Sequence, residues 1–203
     1  MPRSAAQYLH PSNLVTYLSL LAGLLAIVAA KDLGSWSVAG GLIALSAAAD
    51  TLDGRFARLF RRTPSQQRFG MELDSLADAL TFGLVPVAAL YSLLRFETGA
   101  SRILWVVTAL FYVVCTVTRL GFYDLHHDED PGFVGLPTTV AGLIWSSAFL
   151  AAPPPAVAIA LLVGSGAAMV SPIRLPRPRG LGLVAFGGWA ALLVVLHGLS
   201  GIR

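Results

Sequence analysis

The sequence has few charged residues, a single lysine and a single cysteine. Asp, Glu, Lys and Arg make up 12% of the 203 residues, whereas an ordinary soluble domain carries roughly 25%. One cysteine excludes a disulfide framework, and Cys115 lies inside an apolar run, where we expect simple packing. The net charge of +3 is too small for a nucleic-acid-binding protein, so no nucleic acid is expected as a partner.

Apolar residues take the place of the missing charge. Hydrophobic residues make up 56% of the chain, and the mean hydropathy is +0.72. This composition predicts an all-α integral membrane protein in a lipid bilayer. We expect residues 1–203 to form a single transmembrane domain. The N-terminus "MPRSAAQYLHPSN" lacks an early apolar core with a small-residue cleavage site, so we expect the first apolar run to be a retained helix rather than a signal peptide.

Seven segments are long enough, or nearly so, to cross about 30 Å of hydrocarbon at about 1.5 Å per residue. They are residues 13–30, 35–52, 72–94, 102–121, 136–152, 155–171 and 181–199. The run "PPP" at 153–155 predicts a tight hairpin between the fifth and sixth segments. Gly40, Ala44 and Ala48 allow close packing of the second segment against a helix of the same chain or of a second one.

The distribution of basic residues predicts the orientation in the membrane. An N-terminus in the cytoplasm leaves four basic residues outside, Lys31, Arg95, Arg102 and Arg203. It places ten inside, Arg3, Arg55, Arg58, Arg61, Arg62, Arg68, Arg119, Arg174, Arg177 and Arg179. The acidic ends of the second and third helices are therefore expected at the cytoplasmic face.

Four aspartates follow helical spacing at these two helix ends. A rotation of about 100° per residue places each set of residues on one narrow helix face. The sets are Asp50, Asp53, Gly54 and Ala57 on the second helix, and Gly70, Asp74 and Asp78 on the third. Two antiparallel helices joined by a polar loop bring the faces together, so four carboxylates surround one cleft. Such a cluster needs neutralisation, and divalent cations prefer oxygen ligands that they share with phosphates.

The same faces are bare of large side chains. Gly54, Ala57 and Gly70 leave room for a bulky anionic ligand, and Arg58 at the edge suits a phosphate oxygen. These features together indicate phosphoryl transfer. The alternative interpretation is that the protein is a cation transporter. A transporter would place carboxylates near the bilayer centre or in two repeated halves. These aspartates lie at one membrane face, and no second half repeats them.

The spacing Asp50-x2-Asp53-Gly54-x2-Ala57-Arg58-x11-Gly70-x3-Asp74-x3-Asp78 resembles the signature of the CDP-alcohol phosphotransferase family. Each fixed position of that signature is matched within segment 50–78. The spacer "LFRRTPSQQRF" between Arg58 and Gly70 has eleven residues and is longer than the family's usual spacer.

The resemblance implies a six-helix transmembrane bundle, here with a seventh helix, and an enzyme that passes the phosphatidyl group of CDP-diacylglycerol to an alcohol. It implies two Mg²⁺ or Mn²⁺ ions and a homodimer. Asp50 and Asp74 would bridge the two ions, Asp53 would complete the first metal site, and Asp78 would complete the second. Asp78 would also be the base that accepts the proton of the acceptor hydroxyl.

The resemblance also implies residues that bind the CDP moiety, namely Gly54, Ala57, Arg58 and Gly70. The opening "PSNLVT" is similar to the family's entry to its first helix, which places Asn13 and Thr16 near the nucleotide. A plain helix N-cap is the alternative role for Asn13. In the interhelical loop, Thr63 or Ser65 is expected at a phosphate.

Three further stretches bear on the acceptor. "FGMELDSLADALTFGLVP" and "GFVGLPTTVAGLI" resemble the branch of the family that makes phosphatidylserine, and "VTRLGFYDL" falls where that branch has an Arg-containing segment. The resemblance therefore favours L-serine as acceptor, with Arg119 in contact with it. Glycerol phosphate or inositol phosphate as acceptor, and a CDP-archaeol donor, stay open.

Several residues outside the signature are also assigned a role. The run "HHDED" at 126–130 is interpreted as a solvated acidic loop, and His197 as a packed or interfacial side chain. Trp36 and Trp105 are expected in an interfacial belt, and Trp145 either there or in the core.

Overall fold

The structure, a computed structural model, describes residues 4–126, 132–176 and 180–201, and for His126 the backbone alone. Eight α-helices lie in these ranges: α1 Leu14–Asp32, α2 Trp36–Ala57, α3 Pro64–Asp78, α4 Val85–Leu93, α5 Gly99–His126, α6 Thr138–Leu150, α7 Pro155–Met169 and α8 Leu181–Ser200. Two short 3₁₀ turns, Ala5–Tyr8 and Pro11–Asn13, precede α1. The all-α prediction is confirmed, with each apolar segment forming a helix or a continuous helical unit.

Within the described residues, four helical stretches are long and apolar enough to cross a membrane by length and composition. They are Pro11–Asp32, Pro64–Leu93, Gly99–Leu125 and Leu181–Ser200. Helices α6 and α7 are shorter apolar helices. They are joined by the predicted tight turn, in which Ala152 takes a positive φ of 43° before Pro155 begins α7.

Helix α2 is the centre of the bundle and packs against α1, α6 and α8. The hydroxyls of Ser19 on α1 and Ser46 on α2 lie 2.6 Å apart. On another face of α2, Gly40 lies against His197 of α8, and a side chain added at Gly40 would collide with that imidazole. Ala44 is buried in the same layer. The helix that packs on the small residues of α2 therefore belongs to the same chain.

Helix α3 continues without a break through a π-helical segment, Ala79–Leu84, into α4. Pro86 has no N–H group, so it has no hydrogen to donate to the carbonyl of Phe82 four residues earlier. The hydroxyl of Tyr112 on α5 donates to that carbonyl instead, at 2.7 Å. This bond satisfies a backbone acceptor that lies within the apolar bundle. The wide turn begins directly after Asp78, and π segments often occur next to functional residues.

A short antiparallel ribbon was not predicted. Strand β1, Gly132–Val134, pairs with β2, Arg174–Pro176, and joins the α5–α6 connection to the α7–α8 connection. Gly135 follows β1 with φ of 74°, and a side chain there would collide with the carbonyl of Met169. Residues 127–130 of "HHDED" and the side chain of His126 lie outside the described residues, so the interpretation of that loop stays a prediction.

The prediction that Trp105 lies at the membrane interface is wrong. Its side chain is 1% exposed and packs against Phe96, because the α5 face that carries it turns toward the bundle. Trp145 is fully buried and meets Tyr112 edge-on, so packing is its role. Trp36 is half-buried and lies edge-on to Phe149. Cys115 is buried, as expected.

Candidate active site

Three of the four aspartates, one on α2 and two on α3, bring their carboxylates together. One carboxylate oxygen from each of Asp50, Asp74 and Asp78 lies within 4.8 Å of the other two. Each side chain is half-buried. Helical spacing places Asp74 and Asp78 on one face of α3 and Asp50 at the end of α2, and α1, which packs against both helices, brings them together. We refer to Asp50, Asp74 and Asp78 as the aspartate cluster.

Two threonines at the start of α6 hold members of this cluster. Thr139 Oγ1 donates to Oδ2 of Asp50 at 2.7 Å, and Thr138 Oγ1 donates to Oδ2 of Asp78 at 2.9 Å. Pro137 precedes both residues at the start of α6. Sequence reasoning missed these threonines, although two adjacent hydroxyls at the predicted cytoplasmic start of an apolar helix were the available signal.

The aspartate cluster fits a divalent cation. Within the part of the chain that the structure describes, Oδ1 of Asp74 is a buried atom with no hydrogen-bond partner. Three carboxylates that converge on one point, with such an oxygen among them, form the donor set that Mg²⁺ and Mn²⁺ prefer. Asp53, expected to complete one metal site, is not in this group, and its Oδ2 accepts a hydrogen bond of 3.3 Å from Thr16.

A first cavity of about 200 Å³ lies between α1, α2 and α3. It brings together every residue expected at the nucleotide except the two candidates for a phosphate contact, Thr63 and Ser65. The described lining residues are Ser12, Asn13, Thr16, Asp53, Gly54, Ala57, Arg58, Arg62, Gly70, Met71 and Asp74. A side chain added at Gly54 would enter open space, whereas one at Gly70 would meet Arg62 and Asn13 at 3.4 and 3.5 Å. We refer to this space as the nucleotide cavity, because it contains the residues expected at the nucleotide.

Asn13 occupies the N-cap position of α1, but its side chain makes no capping hydrogen bond. Its amide instead donates to the carbonyl of Tyr8 at 3.3 Å, and its Oδ1 accepts from Ser12 at 3.2 Å. Asn13 therefore holds the N-cap position without the side-chain capping bond. Arg62 in the same cavity was missed, because a loop arginine has no periodicity that fixes its direction.

The loop residues Thr63 and Ser65 lie outside the nucleotide cavity. Thr63 is the N-cap of α3, where its hydroxyl and the Gln66 side chain form a reciprocal capping box. The hydroxyls of Thr63 and Ser65 lie 3.1 Å apart at an exposed position. The sequence between Arg58 and Gly70 therefore begins α3 at Pro64, and this helical start carries both hydroxyls away from the cleft.

A second cavity of about 440 Å³ adjoins the aspartate cluster, and we refer to it as the acceptor cavity because it contains Arg119, the residue expected at the acceptor. All three aspartates of the cluster line it, together with Arg119. Arg119 is 6% exposed, with its guanidinium carbon 5.0 Å from the ring centre of Tyr123 and 5.8 Å from that of Phe133. Among the described residues, its Nε has no hydrogen-bond partner.

The chain is similar to several curated proteins. The CDP-diacylglycerol–serine O-phosphatidyltransferase of Mycobacterium tuberculosis is 42% identical over 132 residues, covering 61% of this chain and 43% of the relative. The protein of the same name from Helicobacter pylori is 33% identical over 183 residues, covering 84% of this chain and 73% of the relative. The archaetidylserine synthase of Methanothermobacter thermautotrophicus is 30% identical over 171 residues, covering 84% and 71%.

The chain matches less than half the length of the mycobacterial relatives. The sequence model of the CDP-alcohol phosphatidyltransferases matches residues 9–172. That range contains the aspartate cluster, both cavities and strand β1, and it ends before β2 and α8. The chain belongs to the CDP-alcohol phosphatidyltransferase family.

Proposed function

We propose that the protein transfers the phosphatidyl group of a CDP-linked lipid to the hydroxyl of L-serine, giving phosphatidylserine and CMP. The observation that carries this proposal is the position of the aspartate cluster between two cavities. The nucleotide cavity and the acceptor cavity both contain Asp74, so a phosphate held at the cluster is open to each of them.

The reaction forms one P–O bond and breaks another. The serine hydroxyl oxygen attacks the phosphorus that carries the diacylglycerol, and the bond from this phosphorus to the bridging pyrophosphate oxygen breaks. CMP leaves with that oxygen. The hydroxyl proton passes to Asp78, which lines the acceptor cavity and is oriented by Thr138.

Asp50, Asp74 and Asp78 would hold one divalent cation, and Asp53 would extend the ligand set toward the nucleotide cavity for a second. Mg²⁺ or Mn²⁺ held there would offset the charge that develops on the phosphoryl oxygens and on the departing CMP. Arg58 and Arg62 line the nucleotide cavity, where a guanidinium suits phosphate oxygens.

Arg119 supports an amino acid as the acceptor. A buried guanidinium whose Nε–H has no hydrogen-bond partner among the described residues is suited to a carboxylate, and L-serine carries a carboxylate one carbon from its hydroxymethyl group. The aromatic rings of Tyr123 and Phe133 hold the guanidinium in place on the cavity wall. The relatives' names support the same acceptor.

The active site lies on the cytoplasmic side in this proposal, because of the excess of arginine in the segments that share its face. A homodimer follows from the family resemblance alone, and the mass of the purified protein in a lipid nanodisc tests it.

The direct test is to incubate the purified protein with CDP-diacylglycerol and a panel of acceptors, and to measure CMP release. The panel contains L-serine, glycerol phosphate, inositol phosphate and serinol, which lacks the carboxylate. We expect release with L-serine. Turnover with glycerol phosphate or inositol phosphate and none with serine would overturn the acceptor, and a parallel series with CDP-archaeol identifies the donor.

A substitution at Arg119 tests whether its guanidinium binds the carboxylate of the acceptor. We expect Arg119→Lys to lower kcat/KM for L-serine by roughly 10- to 100-fold, the value of a charge-assisted hydrogen bond. Turnover of serinol should change little, because serinol has no carboxylate to lose. Equal losses with both acceptors would show that Arg119 does not bind the carboxylate.

A further inference from the structure

Helix α3 ends at Asp78, and the backbone changes its hydrogen-bond pattern at the next residue. We refer to the π-helical stretch Ala79–Leu84 as the π segment. At its end the N–H group of Val85 donates to the carbonyl of Leu80, five residues earlier. A π turn holds one residue more than an α turn between its bonded groups. Relaxation of the π segment to α geometry would therefore rotate α3 relative to α4 by about one residue, or about 100°.

The π segment is packed closely by two neighbouring helices. Gly23 of α1 lies against Thr81, so that a side chain added at Gly23 would meet Thr81 at 3.3 Å. Gly142 of α6 lies against the ring of Phe82, and a side chain added at Gly142 would come to 2.5 Å from a ring carbon. Neither contact is a hydrogen bond. Among the described residues, only Tyr112 forms a hydrogen bond from another helix to the backbone of the π segment.

The Tyr112 hydroxyl is held in one place. Tyr112 is fully buried, and its ring meets that of Trp145 edge-on with the ring centres 6.0 Å apart. The hydroxyl donates to the Phe82 carbonyl at 2.7 Å. Because the ring is rigid and hydrogen bonds weaken steeply with misalignment, the hydroxyl reaches this carbonyl in a narrow range of backbone positions. Phe82 lies four residues after Asp78, so the bond fixes the turn that directly follows Asp78.

We propose that Tyr112 is a positioning residue for the aspartate cluster, an inference that rests on the proposed function. Its hydroxyl holds the π segment in its wide turn, and this turn directs Asp78 toward the other two carboxylates of the cluster. Without the hydroxyl, the Phe82 carbonyl has lost its donor within the apolar bundle, and the backbone shifts toward another one. The shift rotates Asp78 away from the cluster and from the Thr138 hydroxyl, which donates to it at 2.9 Å.

A purely structural role for the hydroxyl is the alternative, in which it satisfies one buried carbonyl and affects stability alone. Tyr112→Phe removes the hydroxyl and keeps the ring that packs against Trp145. Thr108→Val is the matched control, one turn earlier on α5. The Thr108 hydroxyl donates to the carbonyls of Leu104 and Trp105 at 2.9 and 3.0 Å, and the residue is buried. Its bonds stay within α5, so their loss leaves the π segment untouched.

Mn²⁺ binding tests the proposal without turnover. The electron paramagnetic resonance signal of free Mn²⁺ gives the affinity of the purified protein in nanodiscs, with no lipid donor or acceptor present. We expect Tyr112→Phe to weaken Mn²⁺ binding by about 10-fold, as for other residues that orient metal ligands. Thr108→Val should stay within about twofold of wild type, because its bonds do not reach the ligands. Unchanged Mn²⁺ affinity in a folded Tyr112→Phe protein would overturn the proposal.

The Mg²⁺ dependence of CMP release separates positioning from a loss of folded protein. A smaller folded fraction lowers the maximal rate and leaves the Mg²⁺ concentration for half-maximal rate unchanged. A misdirected Asp78 raises that concentration, by about 10-fold in Tyr112→Phe, and additional Mg²⁺ restores part of the rate. A lower maximal rate with an unchanged Mg²⁺ requirement would assign Tyr112 the structural role.

A double-mutant cycle with Thr138→Val measures the same link through the fold alone. Melting curves with chelator present give the fall in Tm that Thr138→Val causes in wild type, in Tyr112→Phe and in Thr108→Val. The fall should be smaller in Tyr112→Phe, because the hydrogen bond from Thr138 to Asp78 is already weakened there. In Thr108→Val it should equal the fall in wild type. Equal falls in all three backgrounds would show that Tyr112 does not direct Asp78.

Failure of this inference and failure of the proposed function give different results. If the wild-type protein neither binds Mn²⁺ nor releases CMP, the proposed function is wrong, and the double-mutant cycle still decides whether Tyr112 directs Asp78. If the wild-type protein does both, and Tyr112→Phe changes neither the Mn²⁺ affinity nor the Mg²⁺ requirement, the proposed function stands and the positioning role does not.

Discussion

Thr139 on α6 donates a hydrogen bond of 2.7 Å to Oδ2 of Asp50 on α2. The two residues are far apart in the sequence, and their contact fixes one carboxylate of the aspartate cluster from outside the two helices that carry the cluster. Thr138, the preceding residue, holds Asp78 in the same way. Helix α6 therefore acts as a support for the carboxylates.

Replacing Thr139 tests this support. Thr139→Val keeps the size and shape of the side chain and removes the hydroxyl, so Asp50 loses the donor that orients it. Residues that orient metal ligands typically contribute about 10- to 100-fold to metal affinity or activity. We expect the concentration of Mg²⁺ needed for half-maximal CMP release to rise by a factor in that range. Thr139→Ser, which restores the hydroxyl, should behave nearly as wild type.

Thermal stability should change little in Thr139→Val. A melting curve therefore distinguishes a misoriented Asp50 carboxylate from a destabilised fold. A large fall in Tm without a change in the Mg²⁺ requirement would assign Thr139 a purely structural role.

The aspartate cluster itself predicts a strict metal requirement. Asp50→Asn and Asp74→Asn each replace a carboxylate by a neutral amide at a point where three carboxylates converge. Since these side chains are proposed to ligate the metals directly, each variant should lose about 100-fold or more of its turnover. Chelator should abolish wild-type turnover, and added Mg²⁺ or Mn²⁺ should restore it.

The matched control is Glu72→Gln. Glu72 is exposed and lines the acceptor cavity without belonging to the aspartate cluster, so its charge should matter far less. Full activity of Asp50→Asn or Asp74→Asn in metal-free buffer would contradict the metal model.

The aspartate cluster could be predicted from the sequence because helical periodicity is a local property. The spacings within 50–57 and 70–78 fix which residues share a face before any helix packing is known. The length of an apolar run is also a local property, and it predicted the positions of the apolar helices. The polar start of α3 was not located, since residues 64–71 have no apolar run, and the helix begins there through the capping box of Thr63.

Features that depend on contacts between distant helices could not be read from the sequence. The two threonines of α6 reach the cluster only because α6 packs on α2. The burial of Trp105 depends on which face of α5 turns inward. The hydrogen bond from Tyr112 to the Phe82 carbonyl could not be predicted either. The sequence did indicate that this carbonyl needs another donor, because the nitrogen of Pro86 carries no hydrogen.

The nucleotide cavity predicts a steric effect at Gly54. A side chain added there would enter open space, so the protein tolerates it, but that space is where the CDP moiety is proposed to bind. We expect Gly54→Leu to abolish CMP inhibition and CDP-lipid turnover while circular dichroism and Tm stay close to wild type. Ala57→Leu should act similarly, because Ala57 lines the same cavity.

Gly164→Leu provides the control for Gly54→Leu. Gly164 lies on an exposed part of α7, and a side chain added there also meets no atom within 4 Å. It lies outside the nucleotide cavity, so nucleotide binding should be unchanged. Normal CMP binding by a folded Gly54→Leu protein would show that this face does not hold the nucleotide.

The last prediction concerns the proton of the acceptor hydroxyl. The hydroxyl of serine is too weakly acidic to attack a phosphodiester unaided at neutral pH, so a positioned base is needed. Asp78 lies in the acceptor cavity with Arg119 and accepts a hydrogen bond from Thr138. We expect Asp78→Asn to lower kcat by about 100-fold or more, with a much smaller change in KM for the CDP-lipid.

Asp124→Asn is the matched control, since Asp124 lines the same cavity and accepts a hydrogen bond of 2.9 Å from Ser75 rather than joining the aspartate cluster. Its kcat should stay within about tenfold of wild type, because general-base catalysis is the larger effect. Steady-state CMP release with both substrates varied separates kcat from KM for each variant. Near-normal kcat in Asp78→Asn would remove Asp78 from the role of base, and the proton would then have to reach another carboxylate of the acceptor cavity.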